Sequence, residues 1–213
     1  MTLPERASRI HSYAEIFGPK NEVPDRIFLD ANVVIDIHEN AVALQTARSE
    51  RVRGKRRHPE LMAFLARARS GKAKFLVTVA VLEEVYHVFT RLIIDGIIVA
   101  GDKPTNEKKF RDAYPNEYAR AKSQALRVTN HALNEVCKYA SVVAPSSWLG
   151  DKEIALGEKQ CECFLELLQF CHEIGGKDAL HVVQARMMNC NAFVTRDNDF
   201  KCVPGIILFC RNP

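Results

Sequence analysis

The 213-residue chain has no long uninterrupted apolar run. Its longest, around positions 92–100, is broken by Asp95 and is too short to cross a bilayer. The opening stretch MTLPERASRIHSYAEIF mixes charges where a secretory signal carries continuous apolar residues, so a cytoplasmic location is expected. There is no CxxC pair, and the seven cysteines are an odd number, which argues against a disulfide framework. Internal repeats and low-complexity linkers are also missing. Neither sign of charge dominates: 30 Lys and Arg against 26 Asp and Glu leave a net +4, an excess that suits a polyanionic partner without requiring one.

What is present is the composition of a globular protein with a substantial core. Hydrophobic residues make up 47% and charged residues 26%, which excludes disordered, collagenous and coiled-coil chains. The positive charge is concentrated in one place. Within RSERVRGKRRH, positions 48–58, the six cations Arg48, Arg51, Arg53, Lys55, Arg56 and Arg57 face a single glutamate. A solvated connector and a phosphate-binding segment explain that run equally well. Cys161, Cys163, Cys171 and His172 invite a zinc reading, but residues two apart on a helix face opposite sides, so free thiols are expected.

Periodicity orders the elements. A short N-terminal helix precedes a buried strand that ends at Asp30. Pro59 opens, and Gly71 closes, a helix in which Leu61, Met62, Phe64, Leu65 and Ala68 recur at helical spacing. A second strand, 74–79, runs into a helix beginning near Leu82. The stretch 101–114 reads as a polar connection, and 116–140 as a helix after Pro115. Strand 141–144, helices 156–173 and 178–188 around Gly175 and Gly176, and strands 192–195 and 205–209 complete the chain. Apolar strands alternating with helices predict one α/β domain: a three-layer α/β/α fold around a parallel sheet of four to five strands, with extra helices inserted.

Ligands of such sheets bind beyond the carboxyl ends of the strands. Asp30, Glu84, Asp178 and Asp197 fall at strand ends or helix starts, with Asp199 close behind Asp197. Singly, each has an ordinary explanation as a turn former or first-turn helix acid. Together they would repel by about 4 kcal/mol per pair at 4 Å and an effective dielectric of 20, so a converged cluster calls for a cation. Hard oxygen donors favour Mg²⁺ or Mn²⁺ over zinc. His181, one helical turn after Asp178, reads as a satisfied core or rim histidine. An aspartate-nucleophile phosphatase built on Asp30 would want a second Asp where Asn32 stands.

Four segments carry a family resemblance: FLDANVVI at 28–35, TVAVLEEV at 78–85, KDALHVVQA at 177–185 and FVTRDNDF at 193–200. Their order and content resemble the PIN domain, a family of Mg²⁺- or Mn²⁺-dependent nucleases that includes the toxin ribonucleases of toxin-antitoxin pairs. The resemblance implies an endoribonuclease in which Asp30, Glu84, Asp178 and Asp197 are catalytic and hold the metal. Asp199 is an alternative to Asp197, which lies closer to the strand end. The resemblance also implies that Asn32 and Thr195 support the ligands. RNA, single-stranded in the first instance, is the implied substrate, with Arg48, Arg51, Arg53, Lys55, Arg56 and Arg57 offered for its backbone. An antitoxin protein and a second copy of the chain are implied partners, and no membrane is. The domain would span 26–213, with a helical insertion around 101–140 and an N-terminal extension, 1–25, that matches nothing in the family pattern. The competing class is a PIN-like module that binds nucleic acid or protein without catalysis.

Overall fold

The structure, a computed structural model, describes residues 9–13, 24–49, 58–101, 106–143, 153–190 and 192–210. Among the described residues there are six strands: β1 (Arg9–Ser12), β2 (Arg26–Leu29), β3 (Lys74–Thr78), β4 (Ala140–Val143), β5 (Ala192–Val194) and β6 (Ile207–Cys210). They form one sheet in the order β1-β6-β5-β2-β3-β4, with every pairing parallel. Seven α-helices of the described residues accompany it: α1 (Ala31–Ser49), α2 (Pro59–Ser70), α3 (Val79–Gly101), α4 (Glu107–Ala113), α5 (Pro115–Val136), α6 (Glu153–Phe170) and α7 (Gly176–Met187). The class is the expected three-layer α/β/α, with one more strand than the sequence suggests.

The central strands are short and apolar. Ile27, Phe28 and Leu29 of β2 and Ala192, Phe193 and Val194 of β5 are all buried, as parallel strands covered on both faces must be. α2 runs between the signals read for it, with Pro59 in its first turn and Gly71 at its C-cap.

Two local expectations fail. Where a short N-terminal helix is expected, the described residues 9–12 form a strand: β1 pairs in parallel with β6, and Tyr13 N–H continues the ladder to Cys210 O at 3.1 Å. Residues 9–13 of the supposed extension therefore belong to the sheet. Four residues carry too little periodicity to announce a strand, and their ladder hydrogen bonds come from a partner almost two hundred positions away. The stretch read as a polar connection holds α4. Asn106 caps it, its Oδ1 accepting from Lys108 and Lys109 N–H, and Phe110 is fully buried in a satellite cluster with Ile94, Ile98 and Ala121.

The strand order reverses at the centre of the sheet. From β2 the chain proceeds to β3 and β4 on one side, whereas β5 and β6 occupy the other. A crevice at the carboxyl ends of β2 and β5 is the ligand position such a topology provides.

Candidate active site

Asp30 directly follows β2, and Thr195 directly follows β5. Leu29 pairs with Val194, so these two polar residues are level across the crevice. Phe28 pairs with Leu76, which brings Thr78, the last residue of β3, to the same height on the other side. Parallel register thus collects one polar side chain from each of three strand ends.

Asp30 is buried and starts α1. Its backbone carbonyl accepts from Val33 and Val34 N–H, and its Oδ1 accepts from Ala31 N–H at 2.8 Å. Its Oδ2 accepts from Thr195 Oγ1 and from Asn32 Nδ2, each at 2.7 Å. Thr195 Oγ1 in turn accepts from Asp197 N–H at 3.0 Å, and Asn32 Oδ1 accepts from Arg196 N–H at 3.1 Å. Asn32 and Thr195 therefore hold the Asp30 carboxylate and the loop that carries Asp197. With Oδ2 held twice and Oδ1 held by the backbone, Asp30 is poorly arranged as a nucleophile.

Asp178 lies in the first turn of α7 and is half-buried. Its carboxyl is raised from an ordinary 3.8 to about 6, first by burial, then by the charges of Asp30, Asp197 and Glu84, with His181 opposing. The four acids thus act on one another electrostatically. A Cβ on Gly175, the N-cap residue of α7, would stand 3.1 Å from Asp178 Oδ2, so glycine leaves that carboxylate its room. Asp199 is exposed, and its N–H donates to Asp197 Oδ1 at 3.0 Å. Of these two acids, Asp197 is the one that bears on Asp178.

Three α7 residues, Asp178, His181 and Gln184, recur at one-turn intervals and face the strand ends. Gln184 Oε1 accepts from Thr78 Oγ1 at 2.8 Å, which locks α7 to β3. His181 is buried as expected, but it bridges two acids: its Nδ1 lies 3.3 Å from Asp30 Oδ1 and its Nε2 lies 3.5 Å from Glu84 Oε2. The second distance counts as an ion pair but is too long for a good hydrogen bond, and among the described residues Glu84 Oε2 is a buried oxygen without a donor.

The donor chemistry suits a hard divalent cation: carboxylate oxygens, one of them buried without a donor, and mutual repulsion that a cation would relieve. As the side chains stand, no three His, Cys, Asp or Glu groups among the described residues are disposed to hold one metal together.

A second polar group adjoins the acids and escaped the sequence reading. Asp36, buried on α1, pairs with Arg196 Nη1 at 3.1 Å and His58 Nε2 at 3.5 Å, and His58 also pairs with Glu39 at 3.3 Å. Tyr13 lines the same cleft. Its hydroxyl points to Thr195 O at 3.4 Å, and burial, with the charge of Asp36, raises its pKa. An i, i+4 spacing from Asn32 to Asp36 was the only available signal. The basic positions Arg51, Arg53, Lys55, Arg56 and Arg57 lie outside the described residues, and for Arg48 only the helical backbone is described. Among the described residues, no helix is long and apolar enough to cross a membrane.

No protein-family model matches the sequence, and no curated protein does. Among solved structures, the chain is similar to VapBC2 from Rickettsia felis, which was solved bound to a DNA fragment from its promoter. The identity is 15% and the TM-score 0.50, over 86% of this chain and 96% of that one. At this identity the likeness is one of fold.

Proposed function

We propose that this chain is a Mg²⁺- or Mn²⁺-dependent endoribonuclease that hydrolyses phosphodiester bonds of single-stranded RNA. The observation that supports it most is the convergence of Asp30, Glu84, Asp178 and Asp197 on the strand-order reversal, close enough for the charges of three of them to add to burial in raising Asp178 to about 6. These four residues would hold the cation, with Asp199 beside them. When bound, the cation supplies Lewis-acid stabilisation of charge on the scissile phosphate and lowers the pKa of an attacking water. The chain's own part is to keep the oxygens in place. Thr195 and Asn32 fix Asp30 Oδ2, Gly175 leaves space at Asp178, and Gln184 with Thr78 sets the helix that carries Asp178. A protein partner of the antitoxin kind and self-association belong to the same reading, supported by the motif resemblance and the fold likeness to VapBC2.

The test is cleavage of end-labelled single-stranded RNA by wild type and Asp178→Asn in parallel, with Mn²⁺, Mg²⁺ or EDTA. Cleavage by wild type alone, lost in EDTA, is expected. Equal cleavage by the variant would end the assignment. The second reading, a PIN-like binding module without catalysis, is favoured by His181, which stands between Asp30 and Glu84 where it can serve as their counter-ion. A rise in Tm with Mn²⁺ and no cleavage of any RNA would support that reading.

A further inference from the structure

Two of the four acids are immediately preceded by a cation, Lys177 before Asp178 and Arg196 before Asp197. RNA approaching four carboxylates is repelled unless positive groups lie beside them, and these are the cations that adjoin the acids in the described chain. They differ in how they are held. Lys177 is exposed in the first turn of α7 and makes no ion pair among the described residues. Arg196 is fixed at both ends: its backbone N–H donates to Asn32 Oδ1, and its Nη1 meets the buried Asp36 at 3.1 Å.

That ion pair engages one corner of the guanidinium. Arg196 remains 41% exposed, and among the described residues its Nε and Nη2 have no partner. Arg186, an arginine with a structural task in the same chain, spends both terminal nitrogens on protein groups, Cys163 Sγ and Pro204 O. A guanidinium held rigidly by one corner, with the rest of its fork open, matches the bidentate geometry of a phosphate.

We infer that Arg196, positioned by Asp36, binds the RNA phosphate neighbouring the scissile one. The inference rests on the ribonuclease reading for the identity of the polyanion and for the scissile phosphate beside the subsite. The test measures the affinity of a fluorescein-labelled oligouridine by anisotropy across a salt series, in the Asp178→Asn background so that nothing is cut. Adding Arg196→Ala is expected to weaken binding about 10-fold at low salt and to lower the slope of log Kd against log salt by about 0.7, the value for one contact on a single strand. Lys177→Ala should do less. Arg196→Lys keeps the charge and loses the fork, so it should retain the slope while weakening affinity, and it serves if Arg196→Ala fails to fold. Unchanged affinity and slope in the arginine variants, or no binding of oligouridine by the parent, would overturn the subsite. Cleavage separates the two readings. Wild type that binds through Arg196 but never cuts leaves the subsite and removes the nuclease, whereas Arg196→Ala that binds and cuts like wild type does the reverse.

Discussion

Asp30, at the end of β2, and Asp36, on α1, are both almost fully buried carboxylates, and the fold answers them differently. Asp36 faces the Arg196 guanidinium at 3.1 Å and the His58 imidazole at 3.5 Å. Asp30 is held chiefly by neutral donors: the Thr195 hydroxyl, the Asn32 amide and the Ala31 N–H, with the His181 imidazole at 3.3 Å. Around Asp30 lie further acids, whereas Asp36 belongs to a closed set of ion pairs. A carboxylate neutralised by its neighbours is complete as it stands. One that is only hydrogen-bonded keeps its charge and remains available to a cation from outside.

The largest effect that would break this contrast is the loss of cleavage in Asp178→Asn, at least about 100-fold, because the variant removes one of the charges a cation would answer. Asp36→Ala should act on stability. Removing the buried Asp36 takes the carboxylate from a part-exposed Arg196, while His58 keeps Glu39, and should cost about 2 kcal/mol, read as a lower urea midpoint. A cost below about 1 kcal/mol would show that Asp36 is not the closed pair described. Thr195→Val keeps the shape and removes the donor to Asp30 Oδ2, so cleavage should fall about 10-fold, with metal affinity weakened and Tm in EDTA little changed. A fall in Tm with unaltered metal affinity would instead make Thr195 a packing residue.

The smallest effect is in pH dependence. The Asp178 carboxyl is raised to about 6 from an ordinary 3.8, so the folded chain binds that proton more tightly than the unfolded one. Its contribution to stability is complete below about pH 4 and is lost as pH rises through 6. Because Asp178 is half exposed, solvent screening reduces this to about 1 kcal/mol. Tm measured against pH in EDTA should therefore decline more steeply between pH 4 and 6 for wild type than for Asp178→Asn. Parallel curves would show that burial and the neighbouring acids do not raise Asp178.

Much of the frame was written locally. The apolar runs of β2, β3 and β5 and the Pro59 and Gly71 limits of α2 are short-range signals, readable because strand burial and helix capping depend on neighbours in sequence. The order of the four acid-bearing motifs is equally visible, since each acid sits at an element boundary. Strand β1 and helix α4 were not visible. The first needs β6 for its hydrogen bonds, and the second has a single buried anchor, Phe110, in seven residues.

At the site, the acids and their supports Asn32 and Thr195 could be named from sequence, but their partners could not. The His181 bridge from Asp30 to Glu84 joins three separate elements, and the clamp of Arg196 on Asp36 joins two. The sequence by itself determined most of the strands and helices, though not β1, α1 or α4, because propensity, capping and periodicity act over a few residues. The tertiary structure alone decided which buried charges are neutralised and which are left standing, because that depends on side chains from different elements brought within about 4 Å, where electrostatic energy falls with distance in space and is indifferent to distance along the chain.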